Sequence, residues 1–294
     1  MLYRSPCALV AIILVLAAVA IPAPAENIPP LRIGLSGSLS REVPEAVTML
    51  AVKPLRAVIN QQTGLRSDFS IVSEADKMAE QIASQQLKLG VFQGVEFAWA
   101  KQKHPKLTPL ILAINQRLRL HAYVMVRQDN PADDFTDLKG STLAQVRGSR
   151  AHCRIFCDHQ TKAAGHDMDG YFSKLTTLNS AEEALDQVID GTMNAAIVDG
   201  VTLDCYARAK PGRFAQLKEL LKSDQFPATV IAYQAGSIDD ATLRRFRDGL
   251  LNIKQTTAAQ QAMLLFKLTG FEAVPADYEQ VVADTAKKYP QPGK

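Results

Sequence analysis

The chain has 294 residues, 47% of them hydrophobic and 21% charged, with a formal net charge of +3. That length and composition suit one large globular unit or two of ordinary size. Lys and Arg form no single run and no aromatic platform lies between them, so nothing supports nucleic-acid binding.

The first stretch reads as a targeting segment. Arg4 is a positive start, residues 8–21 are an apolar core, and Ala23-Pro24-Ala25 fits the small-x-small cleavage rule. The mature chain is then expected to begin at Glu26, exported to the periplasm or the medium. The apolar core is shorter than the ~20 residues a membrane span needs; an uncleaved anchor is the weaker alternative. Cys7 precedes the apolar core, which is the wrong place for a lipid-attachment cysteine. The leader holds one basic residue, so 33 basic residues fall to 32 against 30 acidic ones. Export implies oxidising chemistry for Cys153, Cys157 and Cys205. An odd count leaves at least one of them reduced, buried or ligating.

Residues 31–35 read as a strand, followed by Ser36-Gly37-Ser38-Leu39-Ser40. A helix is expected over 44–62, with Pro44 at its first position, Gly64 as its stop and Pro54 as a kink or break. Strand 68–72 precedes Ser73-Glu74-Ala75-Asp76, a capping-box pattern opening a helix to about residue 86. Strand 87–92 ends in Gln93-Gly94, before a helix carrying Glu96 and Trp99; residues 107–113 form a fourth strand. This alternation predicts an α/β unit with a parallel sheet.

A second block starts with strand 121–126, and a turn or short helix lies around 129–140. Strand 143–146 runs into Gly148-Ser149 and a helix. That turn leaves backbone N–H groups pointing outward at a positive dipole end, which makes an anion seat; Ser149 as a plain N-cap is the alternative. Strand 175–178, a helix capped by Ser180 and ending near Gly191, and strand 195–200 follow, the last ending in Asp199. A helix near 203–208 and a strand over 229–234 come next. Helices are expected over 239–254, 257–268 and 276–288.

The expected organisation is two α/β lobes with two crossover strands, near 121–127 and 228–234, and a helical C-terminal tail. Residues 31–119 with 228–294 would form lobe one, and 120–227 lobe two. Ligands bind beyond the carboxyl ends of strands in open α/β sheets. That rule nominates Ser36, Ser38, Gln93, Glu96, the run from Ser149 through Arg150 and Ala151 to His152, and Asp199, facing an inter-lobe cleft. Tyr123, on the first crossover strand, could reach the same cleft or pack in the core.

Segments in order along the mature chain resemble the substrate-binding proteins of phosphate/phosphonate-type ABC transporters. They include Leu89-Gly90-Val91-Phe92-Gln93-Gly94-Val95-Glu96, Asp137-Leu138-Lys139-Gly140 followed by Gly148-Ser149, and Ala184-Leu185-Asp186-Gln187 through Asp199. The resemblance implies a fold that closes on its ligand and hands it to a membrane permease, with no catalysis. Family members that bind phosphonate hold it with a Gly-Ser-Thr-Ser-Gly run. Here that run reads Gly148-Ser149-Arg150-Ala151-His152, so two hydroxyls are gone and a guanidinium stands beside Ser149. The expected ligand is a small anion, phosphonate-like or another oxyanion. A receptor in place of a permease is the sensory variant.

His152, Cys153, Cys157, His159 and His166 crowd one segment. Thiolate and imidazole suit zinc, copper or haem iron, giving a rival reading as a metal- or haem-binding redox or sensory protein with His152, Cys153, Cys157 and His159 as ligands. No standard metal spacing is present. A Cys153–Cys157 disulfide and plain buried thiols are the other options, and no cofactor is otherwise expected. No serine-histidine-aspartate, paired-carboxylate or phosphate-loop motif supports an enzyme.

Overall fold

The computed structural model describes residues 29–40, 44–147 and 151–292. Two sheets organise the chain. The first has six strands in the order β11-β4-β10-β3-β1-β2: β1 (Leu31–Ser36), β2 (Ser67–Val72), β3 (Leu89–Phe92), β4 (Leu107–Ile114), β10 (Thr229–Gln234) and β11 (Gly270–Glu272). The second has five, in the order β7-β6-β8-β5-β9: β5 (Ala122–Arg127), β6 (Thr142–Val146), β7 (Lys174–Leu178), β8 (Ala195–Asp199) and β9 (Leu217–Lys222). The protein is a two-lobed α/β structure with a helical C-terminal tail.

The first sheet is mixed rather than parallel. β1 runs parallel to β2 and β3, but β10 inserts antiparallel between β3 and β4, and β11 adds antiparallel to β4. Helices cover both of its faces. On one side α2 (Ala75–Ala83), α3 (Gly94–Lys103) and α11 (Tyr278–Lys288) bury Met78, Ile82, Phe97 and Val282 against Phe92 and Leu112. On the other, α1 (Glu45–Thr63), α9 (Asp240–Leu251) and α10 (Thr257–Leu265) bury Val52, Ile59, Phe246 and Met263 against Ile33, Leu89 and Ile111. Strand residues alternate between the two cores because successive side chains point to opposite faces.

The second sheet has the same plan. α4 (Ala151–Ala163) and α5 (Met168–Tyr171) cover one face, while α6 (Ala181–Ile189), α7 (Gly200–Ala209) and α8 (Pro211–Phe214) lie to the other. β5 pairs antiparallel with β8 and β9, whereas β6 runs parallel to β7 and β8.

Local signals held in part. Gly64 ends α1 with φ 63°, a left-handed position where glycine avoids the Cβ penalty. Pro54 does not break α1; it lies on the exposed face, where water can reach the carbonyl that its missing N–H leaves unbonded. Pro44 is the N-cap and not the first helical residue, which is Glu45. The N-cap of α2 is Glu74, not Ser73; its side chain makes no capping bond but pairs with Lys77, and the helix stops at Ala83. Ser180 caps α6 as expected, accepting from the N–H of Glu183, whose side chain accepts in turn from the N–H of Asn179. β9 and β11 stand where no strand was expected.

β5 and β10 each lie within one sheet. The chain passes between the sheets just before them, in 115–121 and 223–228, and those runs touch at an antiparallel bridge between Leu120 and Phe226. The carboxyl end of β3 pairs with the start of β10, and the carboxyl end of β8 with the start of β5. Both sheets therefore turn the carboxyl ends of their parallel strands toward the crossing. Among the described residues no helix is long and apolar enough to cross a membrane. The expected leader and its cleavage point fall at residues 1–28, outside the described residues.

Candidate ligand site at the strand ends

The lobe-one corner of the site is a polar network. β1 ends on Ser36, which is buried, and a 3-10 turn over Gly37–Ser40 follows. Ser36 Oγ donates to Glu96 Oε2 at 2.7 Å and lies 3.0 Å from Ser38 Oγ. Gln93, the residue after β3, directs Nε2 to Ser38 O at 2.9 Å and to Ser38 Oγ at 3.0 Å. Three of the nominated residues, Ser36, Ser38 and Gln93, thus meet at one point, with the buried Glu96 beneath them. A glutamate in the first turn of a helix commonly folds back onto its own N-cap N–H. Gln93, the N-cap of α3, has no such bond, and Glu96 instead takes a hydroxyl from another strand.

The start of α3 is fixed by the crossing. A Cβ on Gly94 would stand 1.9 Å from the carbonyl oxygen of Pro227. Only a residue without a side chain lets the helix begin against that backbone.

The second corner lies at the end of β8. Asp199 caps α7: its Oδ1 accepts from Val201 N at 2.9 Å and from Thr202 N at 3.1 Å. Tyr123 is buried, with the Lys222 ammonium 5.4 Å above its ring. Arg117, from the crossing, pairs with Asp204 and packs so closely that a Cβ on Gly200 would lie 2.6 Å from its Nη1. Burial opposes charge on Arg117, but hydrogen bonds to Asp204 and Tyr123 outweigh it and raise its pKa above the usual value. Arg117 and Lys222 were not singled out by sequence reasoning. Arg117's one sequence signal is its position just before the expected crossover strand.

Gly148, Ser149 and Arg150, the expected anion seat, lie outside the described residues; Ala151 opens α4.

The Cys/His cluster does not assemble. Cys153 and Cys157 are buried in the core of the second lobe, on the face of α4 that packs on its sheet, and no disulfide joins them. Burial, helped by the neighbouring Asp158 charge, pushes the Cys157 thiol up to about 12, the reverse of what a thiolate ligand needs. The rings pack on aromatics: His152 meets Phe226 at 5.3 Å and His159 meets Tyr289 at 5.0 Å, while His166 meets Tyr171 at 6.0 Å. Burial lowers the pKa of His159, and Lys288 lowers it further against the pull of Asp158 and Asp224. Among the described residues no three of His, Cys, Asp and Glu could hold a metal ion. Instead the cluster forms an apolar joint. Tyr289, at the end of α11, lies 4.7 Å from Phe226 and accepts from Trp99 Nε1 through its carbonyl at 2.7 Å.

Residues 39–278 match the family model described as "ABC transporter, phosphonate, periplasmic substrate-binding protein". No curated protein matches the sequence. Among solved structures, XAC2383 from Xanthomonas citri bound to ATP is 17% identical, over 88% of this chain and 96% of that one, with a TM-score of 0.60. PhnD1 from Prochlorococcus marinus, in complex with methylphosphonate, is 14% identical over 88% and 97%, with a TM-score of 0.56. A binding-protein component of an ABC phosphonate transporter from Pseudomonas aeruginosa is 12% identical over 88% and 87%, with a TM-score of 0.54. By the reach of the family match, the chain belongs to the periplasmic substrate-binding proteins of phosphonate-type ABC transporters, a family of solute carriers and not of enzymes, whose work implies a small ligand and a membrane permease.

Proposed function

We propose that the protein captures a small oxyanion between its lobes and delivers it to the permease. We take residues 31–119 with 228–294 as one jaw and 120–227 as the other. The observation that carries this reading is the orientation of the two sheets: the carboxyl ends of β1 and β3, and of β6 and β8, turn toward one crossing. Strand ends of this kind are where open α/β sheets hold ligands. Ser36, Ser38 and Gln93 form the floor in the first jaw. In the second we assign the anion seat to the run Ser149, Arg150 and Ala151, and further ligand contacts to Tyr123 and Asp199. Arg117, paired with Asp204, packs beside Gly200 and Tyr123. The relatives bound to methylphosphonate and to ATP support a phosphorus oxyanion.

Calorimetric titration of the purified protein against methylphosphonate, phosphite, phosphate, methanesulfonate and small carboxylates tests this. Saturable binding of at least one oxyanion, with compaction seen by small-angle scattering, is the expected result. Silence across the panel overturns the proposal.

A further inference from the structure

The hydrogens of the Ser36–Ser38–Gln93–Glu96 network can be placed by elimination. Only the amide nitrogen of Gln93 can face a carbonyl oxygen, so Ser38 O fixes which way the amide points. Ser38 Oγ then accepts from the same nitrogen. Ser36 has one hydroxyl proton, and it goes to Glu96 Oε2. The 3.0 Å contact between the two serines must then be donated by Ser38. The chain of donation runs one way, from Gln93 through Ser38 and Ser36 to Glu96. Every hydroxyl proton in this corner is committed inward. What these side chains can offer a ligand is lone pairs.

That is the wrong polarity for a bare anion. Oxygens that accept hydrogen bonds, backed by a buried carboxyl group, repel a fully ionised oxyanion and leave its oxygens unpaired. They suit a group that brings a donor of its own. Among the described residues no charged side chain is bonded to Glu96; its neighbours from β1 and the following turn are hydroxyls.

We infer that the side chains of this corner form a hydrogen-bond acceptor site, and that Glu96, acting through Ser36 and Ser38, selects oxyanions that carry an O–H or N–H donor. The inference rests on the oxyanion reading above and narrows it to singly protonated or donor-bearing ligands. Glu96 is here a positioning residue: it orients the serine protons and need not touch the ligand.

Two probes of similar shape separate the possibilities. Methylphosphonate can carry a proton on oxygen and loses it at its second ionisation; methanesulfonate has none to give. The protein purified from the periplasm is titrated with each, at pH values on either side of that ionisation. The wild type should bind singly protonated methylphosphonate at least about tenfold more tightly than its dianion or methanesulfonate, the scale of one hydrogen bond to a charged group. A pH effect on the protein itself would move both probes, whereas one on the ligand's proton moves methylphosphonate alone. Glu96→Gln should shrink the preference toward unity, chiefly by improving binding of the dianion and of methanesulfonate. A wild type that binds the dianion or methanesulfonate as tightly as the protonated form overturns the inference while leaving the oxyanion reading intact. If neither probe nor any other oxyanion of the panel binds, both fall. Should Glu96→Gln melt below the assay temperature, the wild-type comparison decides alone.

Discussion

Two corners of this molecule occupy matching places and are built in opposite ways. Each lies where a helix starts beyond a strand of its sheet. At the start of α3, short polar side chains from β1, its turn and the N-cap converge within hydrogen-bonding distance. Along α4, the chain carries the richest run of potential ligands in the sequence, yet its thiols are buried in the core and its rings pack on Phe226 and Tyr289. Chemistry-bearing residue types do not make a site by density. They make one when different elements deliver them to one point.

The contrast predicts that the buried stretch of α4 from His152 onward governs stability and the α3 corner governs binding. The largest expected effect is at Tyr289. Tyr289→Ala removes a buried ring between Phe226 and His159 and should cost about 3 kcal/mol in urea unfolding. Its affinity for the probe oxyanion should stay within about twofold, a change of less than ~0.5 kcal/mol. An affinity loss as large as the stability loss would erase the distinction.

Next comes the alkaline limb. The folded Cys157 thiol is pushed up to about 12 from 9.0. Between those values the unfolded chain releases a proton that the folded chain keeps. The contribution is therefore whole below pH 9.0 and falls as pH rises toward about 12. The slope from this one group is at most about 1.4 kcal/mol per pH unit. Cys157→Ala should flatten it without abolishing it, because Tyr278 and Tyr289, raised by burial, act in the same direction. An unchanged slope in the variant would remove Cys157 from the explanation. In the same buffers a thiol reagent should label the exposed Cys205 and spare Cys157 until the chain unfolds.

Asp199 tests the boundary between the two kinds of corner. Asp199→Ala loses the cap on α7 and should cost about 1 kcal/mol, whereas Asp199→Asn keeps the cap and should stay within a few tenths of wild type. A drop in affinity in the Asn variant, with stability held, would mark the carboxylate as a ligand contact. The smallest effect is at Lys288, whose pair with Asp224 is largely exposed; Lys288→Ala should cost about 0.5 kcal/mol or less by thermal melting.

What the sequence made legible was mostly local. The strand over 229–234 was expected with the bounds it has, since a β-branched and aromatic run needs no partner to be recognised. Gly64 and Ser180 announced their helix ends through conformations and bonds within a few residues. β9 was not legible, because Leu-Lys-Glu-Leu-Leu-Lys has no strand period and becomes a strand only by pairing with β5. The mixed direction of the first sheet is likewise a property of β10, set by where the chain returns. The strand-end rule nominated Ser36, Ser38, Gln93 and Glu96, and the fold brings them together. It could not say that Ser36 gives its proton to a carboxyl group 60 residues away. The α4 cluster misled for the converse reason: residue identity was visible, but which way a helix turns its cysteines depends on the sheet beneath it.

The place of β10 also sets a timetable. It is hydrogen-bonded on both edges, between β3 and β4, yet it follows the whole second sheet in the chain. As the polypeptide emerges from its amino end, β3 and β4 are complete early but cannot join, because the strand that belongs between them has still to appear. Their edges wait unpaired while the second lobe gathers all its own strands. The lobe that begins first in sequence is therefore the one that closes last, and any factor that shields nascent strands has most to do during that interval.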